Sequence, residues 1–275
     1  MLYRHFPKIA NKEFSILTLS LEAGDPAKNE MLLDTAVAQG INLVYAGRDQ
    51  QAIARVRALL ERKGLKKTVS MAYEFTGKTA ADLAAFLAAT GNCPGNCAGD
   101  FLLIRVESAE DVEAMKAAGV FSAAAQGRQS GAAGYLGFSV PPSPDAITAA
   151  LDSFALWDFW ATDFNYLHRD LVESIREVSR SELSFISLDP FASGKLECVP
   201  AEVHKLFEDA PVPRSNDEWG LRAVWELQDA VSAVIRPESP EDLFRKSILA
   251  EAGRPNSLPS REMAVLEAAA AMLVK

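Results

Sequence analysis

The sequence predicts an α/β protein, a single (β/α)8 TIM barrel of parallel strands that spans residues 1–275. Strand-like and helix-like segments alternate along nearly the whole chain, which is the pattern of right-handed β–α–β units. The length of 275 residues is close to the roughly 250 that eight such units occupy. The rival interpretation is a doubly wound open sheet, but no Gly-x-Gly-x-x-Gly motif follows an early strand.

The elements follow from apolar periodicity and from turn and cap signals. Short apolar runs predict strands at residues 14–21, 41–46, 68–75, 101–106, 135–140, 159–166, 183–188 and 230–235. Amphipathic patterns predict helices at residues 29–39, 50–63, 80–89, 109–118, 144–154, 169–178, 216–228, 240–249 and 260–273. The Ala/Gly-rich residues 119–134 are interpreted as a helix followed by a loop. Residues 2–3 are expected to form a small hairpin beneath the barrel.

The composition indicates a large apolar core and an acidic surface. Hydrophobic residues make up 49% of the chain, and the net charge is −9. An acidic balance argues against non-specific nucleic-acid binding, which requires a basic surface. The first residues lack the apolar segment of a secretory signal, and no apolar run is long enough to cross a membrane. We therefore expect a cytoplasmic protein that binds neither nucleic acid nor membrane.

Cysteine and histidine are too scarce for a disulfide framework or a histidine-rich metal site, with three of each in the chain. Cys93 and Cys97 form a C-x3-C turn, and closely spaced cysteines are often reactive. No second Cys/His pair with suitable spacing completes a zinc site, so a structural turn is the favoured interpretation. No metal is expected.

The segment LSFISLDPFASGKL, residues 183–196, joins an apolar strand to a turn of small residues. Small side chains let backbone N–H groups approach an anion closely. A purely structural turn has the same composition, so both interpretations remain open at this point.

Several strings occur in a familiar order along the chain. They are GINLVYAG at residues 40–47, GYLGFSVPPSP at 134–144, WDFWATDFNYL at 157–167, SLDPFASGKL at 187–196 and SNDEWGLRAVW at 215–225. Their order and spacing resemble the aldo/keto reductases, in particular a bacterial branch of predicted oxidoreductases. The resemblance covers nearly the whole chain. It implies a TIM barrel with NADP(H) across its C-terminal mouth.

The family reduces carbonyl groups with a tetrad of Asp, Tyr, Lys and His. By resemblance, these positions fall on Tyr45, Gln50, Tyr73 and Arg105, so all four residues are replaced. Gln50 cannot supply the proton that carbonyl reduction requires. One hypothesis is a rebuilt acid, Tyr45 or Tyr73 assisted by Arg105. The other, which we favour, is a degenerate active site that has lost the chemistry.

The resemblance also implies a set of cofactor-binding positions around the barrel mouth. Those beside the nicotinamide are Ser139, Asp163 and Asn165, and those around the pyrophosphate are Asp189, Ser193, Gly194 and Lys195. Those near the adenine-side phosphate are Arg236, Ser239 and Lys246, close to a predicted helix N-terminus that suits an anion. The implied function is NAD(P)(H)-dependent oxidation and reduction. The alternative is a non-catalytic barrel whose mouth binds a small molecule, or which binds a protein partner.

Overall fold

Eight parallel strands close into a barrel in the computed structural model, which describes residues 1–22, 24–90 and 99–274. The barrel strands are β3 (Leu17–Ser20), β4 (Leu43–Tyr45), β5 (Ser70–Phe75), β6 (Phe101–Arg105), β7 (Tyr135–Val140), β8 (Phe159–Thr162), β9 (Phe185–Ser187) and β10 (Ala230–Ile235). Around the barrel, they follow the order β10–β3–β4–β5–β6–β7–β8–β9. This closed barrel confirms the predicted fold class.

Helices cover the outside of the barrel. They are α1 (Pro26–Ala38), α2 (Gln50–Arg62), α3 (Ala80–Ala89), α4 (Ala109–Ala117), α5 (Val120–Ser130), α6 (Pro144–Ser153), α7 (Val172–Ser179), α8 (Ala201–Glu208), α9 (Asn216–Trp225), α10 (Pro240–Leu249) and α11 (Ser260–Leu273). Two 3-10 turns, Arg169–Leu171 and Ala250–Ala252, precede α7 and follow α10. In the part of the chain that is described, no helix is long and apolar enough to cross a membrane.

The base of the barrel carries the small hairpin that the sequence predicts. Strand β1 (Tyr3–Arg4) pairs antiparallel with β2 (Phe14–Ser15), so the predicted strand at 14–21 divides into β2 and β3. The Arg4 guanidinium donates hydrogen bonds to the carbonyls of Trp225, Leu227, Ala230 and Gly253, at 2.5–3.0 Å. Arg4 thus fixes the hairpin to the last strand and to the segments that flank it.

Three local features differ from the predicted elements. Strand β8 ends at Thr162 because Asn165 turns the chain: its Nδ2 donates to the Asp189 carbonyl, and its Oδ1 accepts from the Leu167 N–H. The predicted helix at 169–178 begins as a 3-10 turn. Helix α8 is additional; its eight residues bury only Val203 and Phe207, too short a pattern to stand out in the sequence.

Side chains alternate between the barrel lumen and the helical layer along each strand. The lower lumen is filled by the rings of Phe6, Phe14, Phe101 and Phe159, whose centroids lie 4.9–5.7 Å apart. Aliphatic side chains such as Leu43, Ala72 and Leu103 belong to the same buried cluster. Because the described residues fill the lower lumen, the space for a ligand lies at the C-terminal ends of the strands. Cys93 and Cys97 lie outside the described residues.

Candidate functional site

The lumen becomes polar where the strands end. A cavity of about 220 Å³, here called the mouth cavity, opens at this level. Its lining residues are Glu22, Tyr45, Arg48, Glu74, Arg105, Asp163, Leu188 and Arg236. Charged side chains of both signs therefore gather at the C-terminal face, the face on which TIM barrels carry their active sites.

Glu74 is the most buried carboxyl group of the mouth cavity, with 4% of the residue exposed. It lies on β5 and accepts a hydrogen bond from the Ser139 hydroxyl on β7. Arg105 Nη1 lies 3.9 Å from Glu74 Oε1. Burial raises the pKa of Glu74, because removal from water disfavours the charged carboxylate more than Ser139 and Arg105 favour it.

Arg105 is held at the end of β6 by Glu107. Its Nε and Nη2 donate to the two carboxylate oxygens of Glu107 at 2.8 and 3.1 Å, a bidentate pair. This contact fixes the plane of the guanidinium and leaves Nη1 directed toward Glu74. Arg105 therefore lies where the resemblance places it, although it has no dissociable proton to use at neutral pH.

Tyr45 contributes the phenol of the mouth cavity. Burial and the carboxylates of Glu74 and Glu22 raise the pKa of Tyr45 well above its ordinary value. Each of these effects disfavours the phenolate, so the phenol gives up its proton less readily than an exposed tyrosine. A tyrosine that acts as an acid needs an environment that lowers the pKa of its phenol, whereas the environment of Tyr45 raises it.

Tyr73 and Gln50, the other two predicted catalytic positions, do not reach the mouth cavity. Tyr73 points out of the barrel into the helical layer, where its ring packs 6.1 Å from Phe86 and beneath the Arg57 guanidinium at 5.6 Å. Gln50 is the exposed first residue of α2. The structure therefore brings Tyr45 and Arg105 together and leaves Tyr73 and Gln50 apart from them.

Glu22, Arg48 and Glu74 line the mouth cavity beside the predicted site residues Tyr45, Arg105, Asp163 and Arg236. The signal for Glu74 was the two-residue alternation of β5. Met71, Tyr73 and Phe75 are large and apolar, as the helix-covered face requires, so Glu74 belongs to the lumen. Glu22 and Arg48 follow their strands in loops and had no comparable signal.

Two further cavities continue the mouth cavity outward between the ends of β9 and β10 and helix α10. The first, about 450 Å³, shares Arg48, Asp163 and Arg236 with the mouth cavity. The second, about 900 Å³ and here called the outer groove, adjoins the first at Gly194 and Glu197. Shared lining residues therefore connect the three cavities across the C-terminal face of the barrel.

The loop after β9 is a turn that satisfies its own polar groups. The Asp189 carboxylate accepts from the Ser193 N–H at 2.8 Å and from the Ser193 hydroxyl at 3.0 Å. Ala192, Ser193 and Gly194 have positive φ values of 49°, 56° and 87°. Lys195 is exposed and lines none of the three cavities. Both donors of Ser193 are therefore committed to Asp189.

The predicted phosphate-binding cations are already paired with carboxylates. Lys246 is 2% exposed, and its Nζ lies 2.8 Å from Glu197, 3.0 Å from Asp242 and 4.0 Å from Asp217. Burial favours the neutral amine, but these carboxylates outweigh it and raise the pKa of Lys246. Arg245 pairs with Asp217 and Asp242, at 3.0 and 2.6 Å.

Arg236 and Ser239 are also engaged within the protein. Arg236 donates from Nε to Glu22 at 2.7 Å and from Nη1 to the Leu188 carbonyl at 3.0 Å. Ser239 caps α10 by accepting from the Asp242 N–H at 3.2 Å. The outer groove is acidic along its lining, with Glu197, Asp217, Glu238, Glu241 and Asp242 against Arg245 and Lys246.

The pH dependence of stability gives a test of the buried carboxyl. Since the folded state holds the Glu74 proton more tightly than the unfolded chain, Glu74 favours folding at acid pH, and this contribution is lost as pH rises through the folded pKa. Glu74→Gln keeps an acceptor for Ser139 without the charge. We expect the variant to gain stability over the wild type at pH 7, and the gain to shrink toward pH 4.5.

Urea unfolding of both proteins between pH 4.5 and 8 measures this difference. The matched control is Glu202→Gln, which changes an exposed carboxylate on α8. Its difference in stability from the wild type should not change with pH over this range. A Glu74→Gln gain that grows on acidification would contradict the raised pKa.

Solved structures with the same fold are aldo-keto reductases. AKR11C1 from Bacillus halodurans, in its holo form, superposes with a TM-score of 0.80 at 16% identity, covering 98% of this chain and 96% of that one. The thermostable aldo-keto reductase Tm1743, in complex with the inhibitor epalrestat, gives 0.73 at 16% identity, with 98% and 100% covered. A putative 2,5-diketo-D-gluconic acid reductase B gives 0.74 at 14%, with 97% and 91% covered.

Sequence comparison adds nothing to this likeness, since no protein-family model and no curated protein matches the chain. At 14–16% identity, the superpositions establish the architecture and not the chemistry. Over nearly its whole length, the chain has the fold of the aldo-keto reductases.

Proposed function

We propose that this chain is a single-domain, diverged aldo/keto reductase that binds a small molecule at the barrel mouth and does not reduce carbonyl groups through a tyrosine. One observation carries the proposal: the phenol of the mouth cavity, Tyr45, is buried beside carboxylates, and its burial together with their charge raises its pKa. The fold and the C-terminal position of the cavity support a binding role.

Carbonyl reduction requires a proton donor beside the oxygen that gains negative charge as hydride arrives. Tyr45 is a weak donor because burial, and after it the charges of Glu74 and Glu22, destabilise its phenolate. No lysine or histidine is among the described residues that line the mouth cavity. Arg236 and Arg48 favour the phenolate, but burial and the carboxylates outweigh them, so the pKa of Tyr45 stays raised.

The residues of the outer groove do not fit the phosphates of NADP(H). A 2′-phosphate requires cations with uncommitted donors, whereas the buried Lys246 ammonium is held by Glu197 and Asp242. The exposed Arg245 engages Asp217 and Asp242 through Nη2 alone, but it stands in a groove whose lining carries five carboxylates. Displacing these carboxylates would leave them unpaired beside an anion, and burying an unpaired charge is costly. In the loop after β9, both donors of Ser193 are used by Asp189.

Glu74 favours a second candidate function, an NAD(P)(H)-dependent oxidoreductase with a rebuilt acid. A buried carboxyl group whose pKa is raised retains its proton to higher pH and can act as a general acid. In this candidate the donor is Glu74, where the sequence suggested Tyr45 or Tyr73. The acidic outer groove weighs against it.

A cofactor titration tests the proposed function. We expect no rise in melting temperature with 1 mM NADPH or NADH, and no turnover of a panel of aldehydes such as 4-nitrobenzaldehyde. A ligand at about a hundred times its dissociation constant would stabilise the fold by about 2.7 kcal/mol, which thermal shift detects readily.

Cofactor binding together with aldehyde reduction would overturn the proposal. Loss of that activity in Tyr45→Phe would then identify a working phenol, and loss in Glu74→Gln would establish the second candidate. Tyr3→Phe is the matched control, because the Tyr3 hydroxyl contacts the Gly40 carbonyl at the base of the barrel.

A further inference from the structure

Two charged side chains of the mouth cavity, Arg48 and Asp163, differ in their surroundings: Arg48 is exposed to water, whereas Asp163 is half-buried. Arg48 and Asp163 line both the mouth cavity and the adjoining 450 Å³ cavity. Within residues 1–22, 24–90 and 99–274, neither side chain makes a hydrogen bond or an ion pair. Asp163 is half-buried, so its unpaired carboxyl group is costly unless water or a ligand satisfies it.

The arginines of the cavity have N–H donors that the described residues do not use. Glu107 binds the Arg105 guanidinium through Nε and Nη2, and among the described residues Nη1 makes no hydrogen bond. Arg236 donates from Nε and Nη1 to Glu22 and the Leu188 carbonyl, and its Nη2 has no hydrogen bond within the same part of the chain. Together with Arg48, these guanidinium groups present N–H donors to one small space, an arrangement suited to a carboxylate.

The opposite side consists of the carboxyl groups of Asp163 and Glu74. Burial raises the pKa of both, and a bound ammonium group would favour their charged forms. The Ser139 hydroxyl engages Glu74 Oε1, and the described residues place no hydrogen bond on Glu74 Oε2. Carboxyl oxygens of this kind are acceptors for an ammonium group, which has three donors to place. A cation bound here would also satisfy Asp163.

The balance of charge selects the class of ligand. Arg48, Arg105 and Arg236 offset Glu22, Glu74 and Asp163, so the lining is formally neutral. A ligand with only an anionic group would be attracted by the arginines but repelled by the nearby carboxylates. A ligand with only a cationic group would be attracted by the carboxylates but repelled by the arginines. A ligand that carries both charges meets a partner for each, and electrostatic complementarity of this kind confers specificity.

The volume sets the size of that ligand. Pockets for drug-sized ligands measure roughly 300–1,000 Å³, and the mouth cavity, at about 220 Å³, is smaller. It has room for a molecule the size of an amino acid. A dinucleotide would have to extend along the acidic outer groove.

We infer that the mouth cavity binds a small zwitterion, a molecule with one ammonium and one carboxylate group such as a free amino acid, with Arg48, Arg105 and Arg236 on the carboxylate and Asp163 and Glu74 on the ammonium. This inference rests on the proposed role of the barrel mouth as a small-molecule site. It goes beyond that role by naming the chemical class and the residues that hold each charge.

Isothermal titration calorimetry on the wild-type protein tests the charge requirement. The zwitterions are glycine, L-alanine, β-alanine and γ-aminobutyrate, which vary the separation of the two charges. The single-charge controls are acetate, propionate, ethylamine and propylamine at the same ionic strength. We expect at least one zwitterion to bind about tenfold or more tightly than the single-charge compound of matching length.

Two variants assign the two ends of the ligand. Asp163→Asn should weaken the best zwitterion about tenfold and leave the carboxylate-only compound unchanged, whereas Arg48→Gln should weaken both. The matched controls are Asp209→Asn and Arg180→Gln, which change exposed charges at the C-terminal ends of α8 and α7. Circular dichroism verifies that each variant folds. The ligand series measured on the wild-type protein does not depend on the variants.

The inference is overturned if no zwitterion binds at 10 mM, or if acetate or propionate binds as tightly as the zwitterions. It is also overturned if Asp163→Asn binds the best zwitterion as tightly as the wild type. None of these results decides the proposed function, which the NADPH and aldehyde experiments test separately. Conversely, NADPH-dependent aldehyde reduction would refute the proposed function whatever the calorimetry shows.

Discussion

Replacement of Phe101 by alanine is expected to lower the free energy of unfolding by about 3–5 kcal/mol. Phe101 is fully buried in the lower lumen, and its ring centroid lies 4.9–5.5 Å from those of Phe6, Phe14, Tyr135 and Phe159. Phe6 and Phe14 belong to the N-terminal segment, and Tyr135 and Phe159 belong to the barrel strands β7 and β8. Truncation would leave a cavity that neighbours held by strands on several sides cannot collapse to fill.

Urea unfolding followed by tryptophan fluorescence and circular dichroism measures this change. Phe101→Leu retains most of the volume and should cost less than half as much. Phe244→Ala is the surface control, because Phe244 on α10 is 48% exposed, and it should change stability by about 0.5 kcal/mol or less. A loss below 1 kcal/mol for Phe101→Ala would show that the base of the barrel is loosely packed.

Lys246→Met is expected to cost about 3 kcal/mol of unfolding free energy, the low end for breaking a buried ion pair. The Lys246 ammonium is buried between Glu197, Asp217 and Asp242, which come from three separate segments of the chain. Methionine fills a similar volume but leaves these carboxylates facing one another. Since Glu197 retains some exposure to water, part of the repulsion is screened.

The same unfolding assay measures Lys246→Met alone and combined with Glu197→Gln. The second substitution removes one uncompensated charge, so the double variant should regain part of the loss. Lys205→Met breaks the exposed pair between α8 and its capping residue Asp209 and should leave the free energy of unfolding close to that of the wild type. If Lys246→Met cost no more than Lys205→Met, Lys246 would be free to serve a ligand, which would reopen the case for a phosphate in the outer groove.

The architecture was predictable because each β–α unit has its own local signals. Buried strands such as β7 and β10 are continuous apolar runs, and helices such as α3 and α10 begin at side-chain caps, Thr79 and Ser239. These patterns depend on neighbours within a few residues, which the sequence displays directly. Helix α8 was not predicted, since only one turn of it faces the core and its apolar pattern is correspondingly short.

The candidate site was less predictable because its properties depend on which face of a strand a side chain occupies and on distant partners. A shift of one residue on β5 exchanges Tyr73 for Glu74 and so exchanges a phenol for a carboxyl group in the mouth cavity. Similarly, Lys246 and Arg245 are recognisable as basic residues of the helix after the last strand, although they lie in the C-terminal half of α10 and not at its N-terminus. Their neutralisation by Glu197 and Asp217 is a tertiary contact that spacing does not reveal.

The Arg4 clamp has a consequence for folding during synthesis. Its four carbonyl acceptors lie 221–249 residues further along the chain, so the hairpin leaves the ribosome well before they do. Until residues 225–253 emerge, the Arg4 guanidinium lacks these partners, and the base of the nascent barrel stays unsealed.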